Sequence, residues 1–172
     1  MSAAYFPGEI YLPDHSQTMA AGQAIGQALN QNLNPTAPKS QIVTMTGPLG
    51  AGKTTLCQGL AKALGVEDFQ VVSPSFTLVN IYQGLRTIYH IDLYRLGQRP
   101  KEEFYEAGLE ECLDNDLCLV EWADRLSDDF WPEERLDLEI DYNQSGRWLR
   151  ARGSMAPAWD LWRTALDAFS AP

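Results

Sequence analysis

A glycine-rich run that ends in a lysine and two threonines occupies residues 44–56, "TMTGPLGAGKTTL". Gly47, Gly50, Gly52, Lys53 and Thr54 satisfy the spacing G-x-x-x-x-G-K-[ST] in full. Backbone N–H groups approach phosphate oxygens closely only where no side chain obstructs them. A helix that begins near Lys53 turns its positive end toward the anion. Lys53 adds a full charge at the β and γ phosphates, and a hydroxyl at Thr54 suits Mg²⁺. The stretch therefore predicts a polyphosphate site made by Gly47, Pro48, Leu49, Gly50, Ala51, Gly52, Lys53, Thr54 and Thr55.

Such a loop also needs a carboxylate for the metal and a group that orders water. Glu121 directly follows the apolar run "LCLV", and a carboxylate at the tip of a central strand sits where open α/β sheets bind ligands. Asp92 follows "TIYHI" and shares a strand face with His90 by the two-residue period. The plainer alternative for either carboxylate is a strand end in solvent, and His90 is equally readable as a core histidine. Ser73, Ser75 and Thr77 supply hydroxyls in "SPSFTLV", a Pro-containing loop of the kind that senses a γ-phosphate, or an ordinary Ser-Pro turn. Trp122 either packs in the core or stacks near the nucleotide. No lysine lies in an N/T-K-x-D guanine signature, so ATP is the expected nucleotide.

The elements needed to hold these groups are legible along the chain. "GEIYL" predicts a short strand and "DHSQTMAAGQAIGQAL" a helix opened by Asp14 and Gln17, with Met19, Ile25, Ala28 and Leu29 at helical spacing. "QIVTMT" predicts the strand before the loop, and a helix follows from about Lys53 until Gly65 stops it. "LRTIYHIDLYRL" alternates as a strand, with a hairpin turn at Gln83 and Gly84 before it. "PKEEFYEAGLEECL" reads as one helix with Tyr105, Leu109, Cys112 and Leu113 as its apolar stripe. "RLDLEIDY" and "GRWLRARG" predict a hairpin around residues 143–146, and "PAWDLWRTALDAF" a closing helix of unassigned role. The pattern is one α/β domain over residues 1–172, a P-loop NTPase fold with a mixed central sheet flanked by helices.

Composition narrows the partners. With 45% apolar residues in a 172-residue chain, a globular core is expected, and no apolar run is long enough to cross a bilayer. The start "MSAAYFPGEI" has no basic region before an apolar block, so no signal peptide is expected. Cys57, Cys112 and Cys118 show no metal-ligand spacing and predict free thiols in the cytoplasm. Net charge is −10, with 13 basic against 23 acidic residues, which disfavours an unaided grip on nucleic acid. Arg147, Arg150 and Arg152, with Arg163, are readable as a local basic face or as solvated surface.

Taken together and in order, "GPLGAGKTTL", "SPSFTLV", "YHIDLYRL", "AGLEECL" and "LVEWADRL" resemble the bacterial TsaE (YjeE) family over roughly residues 10–142. These are small P-loop ATPases of tRNA threonylcarbamoyladenosine biosynthesis. The resemblance implies that Lys53 is the phosphate lysine and that Thr54 and Glu121 hold Mg²⁺. It implies that Asp92 orders metal or water, and that Ser73 and Thr77 belong to a switch-like loop. It also implies ATP as substrate, two partner proteins that form the threonylcarbamoyl-transferase core, and only indirect contact with tRNA. Two positions depart from the family pattern. Pro48 stands where an acidic residue is usual and removes one N–H, and Ser75 stands where threonine is common and keeps a hydroxyl. A small-molecule kinase with a lid at "YRLGQRPKEE", and a nucleotide-sensing switch, are the competing readings.

Overall fold

Hydrophobic periodicity alternates between two and about 3.6 residues along this chain, and the backbone follows it. The computed structural model describes residues 4–5, 9–31, 40–67 and 70–153. In chain order the elements are β1 (Ala4–Tyr5), β2 (Ile10–Leu12), α1 (His15–Gln31), β3 (Gln41–Thr46), α2 (Lys53–Ala63), β4 (Val79–Gln83) and β5 (Thr87–Asp92). Then come α3 (Pro100–Glu106), α4 (Glu110–Leu113), β6 (Leu117–Glu121), β7 (Arg135–Asn143) and β8 (Gly146–Gly153). The closing helix expected in "PAWDLWRTALDAF" lies outside the described residues.

One sheet carries all eight strands in the order β1-β8-β7-β3-β6-β5-β4, with β2 also paired to β8. The four central strands β7, β3, β6 and β5 are mutually parallel, and β4 and β8 flank them antiparallel. This is the expected mixed sheet. Its middle is made of "QIVTMT" and "LCLV": a strand covered on both faces is apolar on both, as "LCLV" is, and the one polar side chain buried in the middle of β3, Thr44, donates its hydroxyl to Asp137. Every residue of β6 is buried.

Two apolar layers clamp the sheet. On one face Ile25 and Leu29 of α1 and Leu56 and Leu60 of α2 pack on Val43, Leu119 and Leu138. On the other, Phe104, Leu109, Leu126 and Trp131 pack on Ile42, Ile91 and Val120. Each such side chain contributes about 1.5–3 kcal/mol when fully buried. Asp14 opens α1 as expected, its Oδ1 accepting the Gln17 N–H at 2.8 Å.

Two expectations need correction. The helix predicted over "PKEEFYEAGLEECL" is two helices, because Gly108 adopts φ 68° and ends the first in a left-handed turn. The break changes the buried set: Phe104 is fully buried and Tyr105 is exposed. The strand predicted through "LRTIYHIDLYRL" stops at Asp92, whose Oδ1 accepts the Tyr94 N–H at 2.9 Å and bends the chain out of the sheet. No element is expected from the sequence at residues 4–5, which pair with β8 as β1; two residues are too few to show a period.

The hairpin at 143–146 forms as read, whereas the one expected at Gln83 and Gly84 turns through residues 84–86, with Gln83 still in β4 and paired to Thr87. For the site, one consequence of the topology matters most. Met45, Glu121 and Asp92 are register neighbours across β3, β6 and β5, so three parallel strands end side by side.

Candidate functional site

Between β3 and α2 the chain loops through residues 47–52. Gly52 precedes the first turn of α2 at φ 114°, a conformation that a Cβ disfavours, and Gly47 adopts φ 140° with no room for a Cβ beside Ile140 O. The loop so formed wraps the Lys53 side chain, which is only 4% exposed. Lys53 Nζ donates to Gly47 O at 2.6 Å and to Pro48 O at 2.9 Å, and it lies 3.7 Å from the centroid of the Trp122 ring. Burial lowers the pKa of this ammonium, and Glu121, Asp124 and Asp92 partly offset the effect.

The carboxylates meet at the neighbouring strand ends. Thr54 Oγ1 donates to Glu121 Oε2 at 3.1 Å, and Glu121 Oε1 lies 2.8 Å from His90 Nε2. Asp92 accepts from Ser73 Oγ at 2.5 Å through Oδ2. Both carboxylates are 2% exposed, so neither is a strand end in open solvent. Above them is a cleft of about 380 Å³ lined by Leu49, Gly50, Gly52, Lys53, Thr54 and Thr55, and by Ser73, Asp92 and Glu121.

The other residues singled out in the sequence are divided between the cleft and its surroundings. Ala51 is buried, and its N–H donates to Pro48 O at 3.2 Å. The Thr77 hydroxyl donates to Asn80 Oδ1 at 3.1 Å and does not line the cleft; Ser75 does. Trp122, read as core or stacked, is half-buried at the cleft with a left-handed backbone at φ 59°. Arg95 stacks over Phe76 at 4.1 Å, and Arg99 lies 3.8 Å from Glu106. The arginines of β8 do not form a free basic face. Arg150 pairs with Glu9, and Arg152 pairs with Asp128 and Asp137.

Two contacts escaped the sequence reading. Arg147 Nε donates to Ala51 O at 2.8 Å, supporting the loop from a hairpin 96 residues away. No local signal announces it. Cys57 lies with His90 and Glu121, their ligand atoms all within 4.8 Å, although cysteine spacing gave no hint of such a cluster. Position 57 is one helical turn after Lys53, and that spacing was the available clue.

A second cleft, about 480 Å³, opens on the β7 side of the loop and is lined by Asp124, Asp128, Asp137 and Glu139 with the cation Arg152, which is paired to Asp128 and Asp137. Among the described residues it lacks the lysine and the helix start that the first cleft sets against a polyphosphate.

A glycine loop between a central parallel strand and a helix, with carboxylates on adjoining strand tips, defines a P-loop NTPase fold. The chain belongs to the TsaE family: the model of "Threonylcarbamoyl adenosine biosynthesis protein TsaE" matches residues 12–150. Three relatives are named tRNA threonylcarbamoyladenosine biosynthesis protein TsaE. That of Synechocystis sp. is 40% identical over 121 residues, 69% of this chain and 71% of the relative. That of Nostoc sp. is 34% identical over 145 residues, 80% of each chain. The match to the Rickettsia conorii protein is 43% identical over 95 residues and spans only 51% of that longer relative. The crystal structure of Bacillus subtilis YdiB shares the fold, with a TM-score of 0.66, 24% identity and 98% coverage of both chains.

Proposed function

We propose that this chain is a Mg²⁺-dependent ATPase that supports turnover of the threonylcarbamoyl-transferase core in tRNA N6-threonylcarbamoyladenosine synthesis. The observation that carries the reading is the convergence of Lys53, the Thr54–Glu121 pair and Asp92 on one cleft at the ends of three parallel strands.

In this reading Lys53 leaves the carbonyls of Gly47 and Pro48 and places its charge between the β and γ phosphates, while loop N–H groups and the first turn of α2 hold the remaining oxygens. Thr54 Oγ1 and Glu121 Oε2 are hard oxygen donors 3.1 Å apart, a pairing that suits Mg²⁺. Bound there with ATP, Mg²⁺ neutralises charge on the phosphate oxygens. Asp92 orders metal or water, and Ser73, bonded to Asp92, ties the 73–77 loop to the state of the site.

ATP is the proposed nucleotide because the guanine signature is absent from the sequence. The two proteins of the transferase core are the proposed partners, and tRNA is reached through them. A net charge of −10 suits docking to proteins better than holding RNA. The cytoplasm is the proposed location, consistent with three free buried cysteines. Among the described residues no helix is long and apolar enough to cross a membrane.

The test is phosphate release from ATP by the purified chain with no acceptor present, repeated with the two core proteins added. Mg²⁺-dependent release is the expected result. A chain that converts ATP to ADP only when a small-molecule acceptor is supplied, with the phosphoryl group on that acceptor and no free phosphate, is a kinase, and the proposal is lost.

A further inference from the structure

His90 is fully buried on β5, and its two ring nitrogens have unequal surroundings. Nε2 lies 2.8 Å from Glu121 Oε1, while the equally buried Nδ1 has no hydrogen-bond partner among the described residues. These two facts fix the tautomer. A proton on Nδ1 would bury an N–H donor without an acceptor and would set a bare Nε2 lone pair against a carboxylate oxygen. A proton on Nε2 leaves only a lone pair unused and gives the carboxylate a donor. His90 therefore donates from Nε2 to Glu121.

The two oxygens of Glu121 are thereby given separate tasks. Oε1 is tied to His90, and Oε2 meets the Thr54 hydroxyl at 3.1 Å on the floor of the cleft. From the α2 side the Cys57 thiol donates to Met45 Sδ at 3.7 Å, and its sulfur lies within 4.8 Å of the facing His90 nitrogen and Glu121 oxygen. Register explains why a histidine is used. His90 faces Leu119 and Asp92 faces Glu121, so His90 is one strand repeat behind the carboxylate and an imidazole spans the offset. A glutamate has three side-chain torsions to immobilise, and a fixed donor removes that freedom before any ligand arrives.

We infer that His90 is a positioning residue: its Nε2–H holds Glu121 Oε1 so that Oε2 alone is presented, beside Thr54, to the divalent cation of the nucleotide complex. This rests on the ATPase reading above.

The first test needs neither metal nor turnover. Long-range ¹H–¹⁵N spectra of the metal-free protein should show His90 with its proton on Nε2, and Glu121→Gln should move that resonance. An Nδ1–H tautomer overturns the inference. The second test compares His90→Gln, which keeps an N–H near the Nε2 position, with His90→Leu, which keeps volume and loses the donor. The Mg²⁺ concentration for half-maximal ATP hydrolysis should rise about 10- to 100-fold in His90→Leu and stay within about threefold of wild type in His90→Gln. Magnesium-free ATP binding should be the same in all three proteins. An unchanged Mg²⁺ requirement in His90→Leu, or a folded His90→Gln as impaired as His90→Leu, overturns the inference. If His90→Leu does not fold, His90→Gln and the tautomer decide alone. Failure of the ATPase reading looks different: wild type itself then shows no Mg²⁺-dependent hydrolysis.

Discussion

The Lys53 ammonium lies 3.7 Å from the centroid of the Trp122 ring, on the surface of the cleft that the glycine loop forms. The indole face and two loop carbonyls together supply the negative potential that a phosphate would otherwise give. A polyphosphate entering the cleft must compete with these contacts for the same charge.

Trp122 fluorescence should therefore respond to nucleotide. Adding ATP should change the emission of the wild type, as the cation leaves the ring. In Trp122→Leu that change should be absent, while the other tryptophans remain. An ATP-dependent signal of equal size in the variant would mean that Lys53 does not part from Trp122 on binding.

Replacing Lys53 with alanine should reduce ATP affinity by about tenfold or more, the scale of a lost charge-assisted contact. The fold should survive, because the side chain removed is a desolvated cation and not part of either apolar layer. Nucleotide titration and thermal melting read the two effects separately. A folded variant with undiminished binding and turnover would remove the loop from the mechanism.

Glu121→Gln keeps the shape of the side chain and loses its charge. Mg²⁺-dependent hydrolysis should fall by about 100-fold, with magnesium-free nucleotide binding within about threefold of wild type. Initial-rate measurements over a Mg²⁺ series decide it. Equal turnover in the two proteins would leave Glu121 with a structural task only.

Alkaline pH should weaken the fold through its cysteines. Burial raises the pKa of the Cys57 and Cys118 thiols above 9.0. The unfolded chain then loses these protons first, so the stabilisation is complete below about pH 9 and declines above it, by about 1.4 kcal/mol per pH unit per thiol. Lys53 acts with the opposite sign. Its lowered pKa means that the folded state has released a proton which the unfolded chain still binds up to 10.5, so its contribution rises with pH in that window. Urea unfolding at several pH values should show a shallower alkaline decline in Cys118→Ala than in wild type, after a loss of about 1–2 kcal/mol at neutral pH for the cavity. Parallel declines would mean that the Cys118 thiol ionises as readily folded as unfolded.

The chain alone should hydrolyse ATP slowly and accelerate with its proposed partners. Fast P-loop enzymes place an arginine against the transferring phosphate, and among the described residues lining the cleft none is an arginine. Arg95, in "DLYRL", is instead engaged with Phe76. Steady-state rates with the transferase-core proteins, with and without tRNA, should exceed the isolated rate by about tenfold or more. Rapid hydrolysis that the partners leave unchanged would point back to Arg95 as an internal finger.

Local sequence determined the parts whose physics is local. The glycine loop was legible because phosphate binding by backbone N–H groups requires small residues at fixed spacing, with a lysine and a hydroxyl after them. β6 was legible because burial on both faces demands a continuous apolar run such as "LCLV", and β3 because the loop motif needs a strand directly before it. Glu121 was legible as the first polar residue after one of them. Tertiary structure decided what depends on parallel pairing between segments far apart in the chain. Only the β3–β6–β5 register brings Asp92 level with Glu121, and only that register sets His90 against Oε1 and Cys57 beneath it. Arg147 reaches Ala51 because the β7–β8 hairpin continues the sheet past β3, and no periodicity within residues 135–153 encodes that approach. The turn after Asp92 and the break at Gly108 were missed because alternation and helical spacing continued through them. A single side-chain acceptor in the first case, and one left-handed glycine in the second, outweighed the pattern.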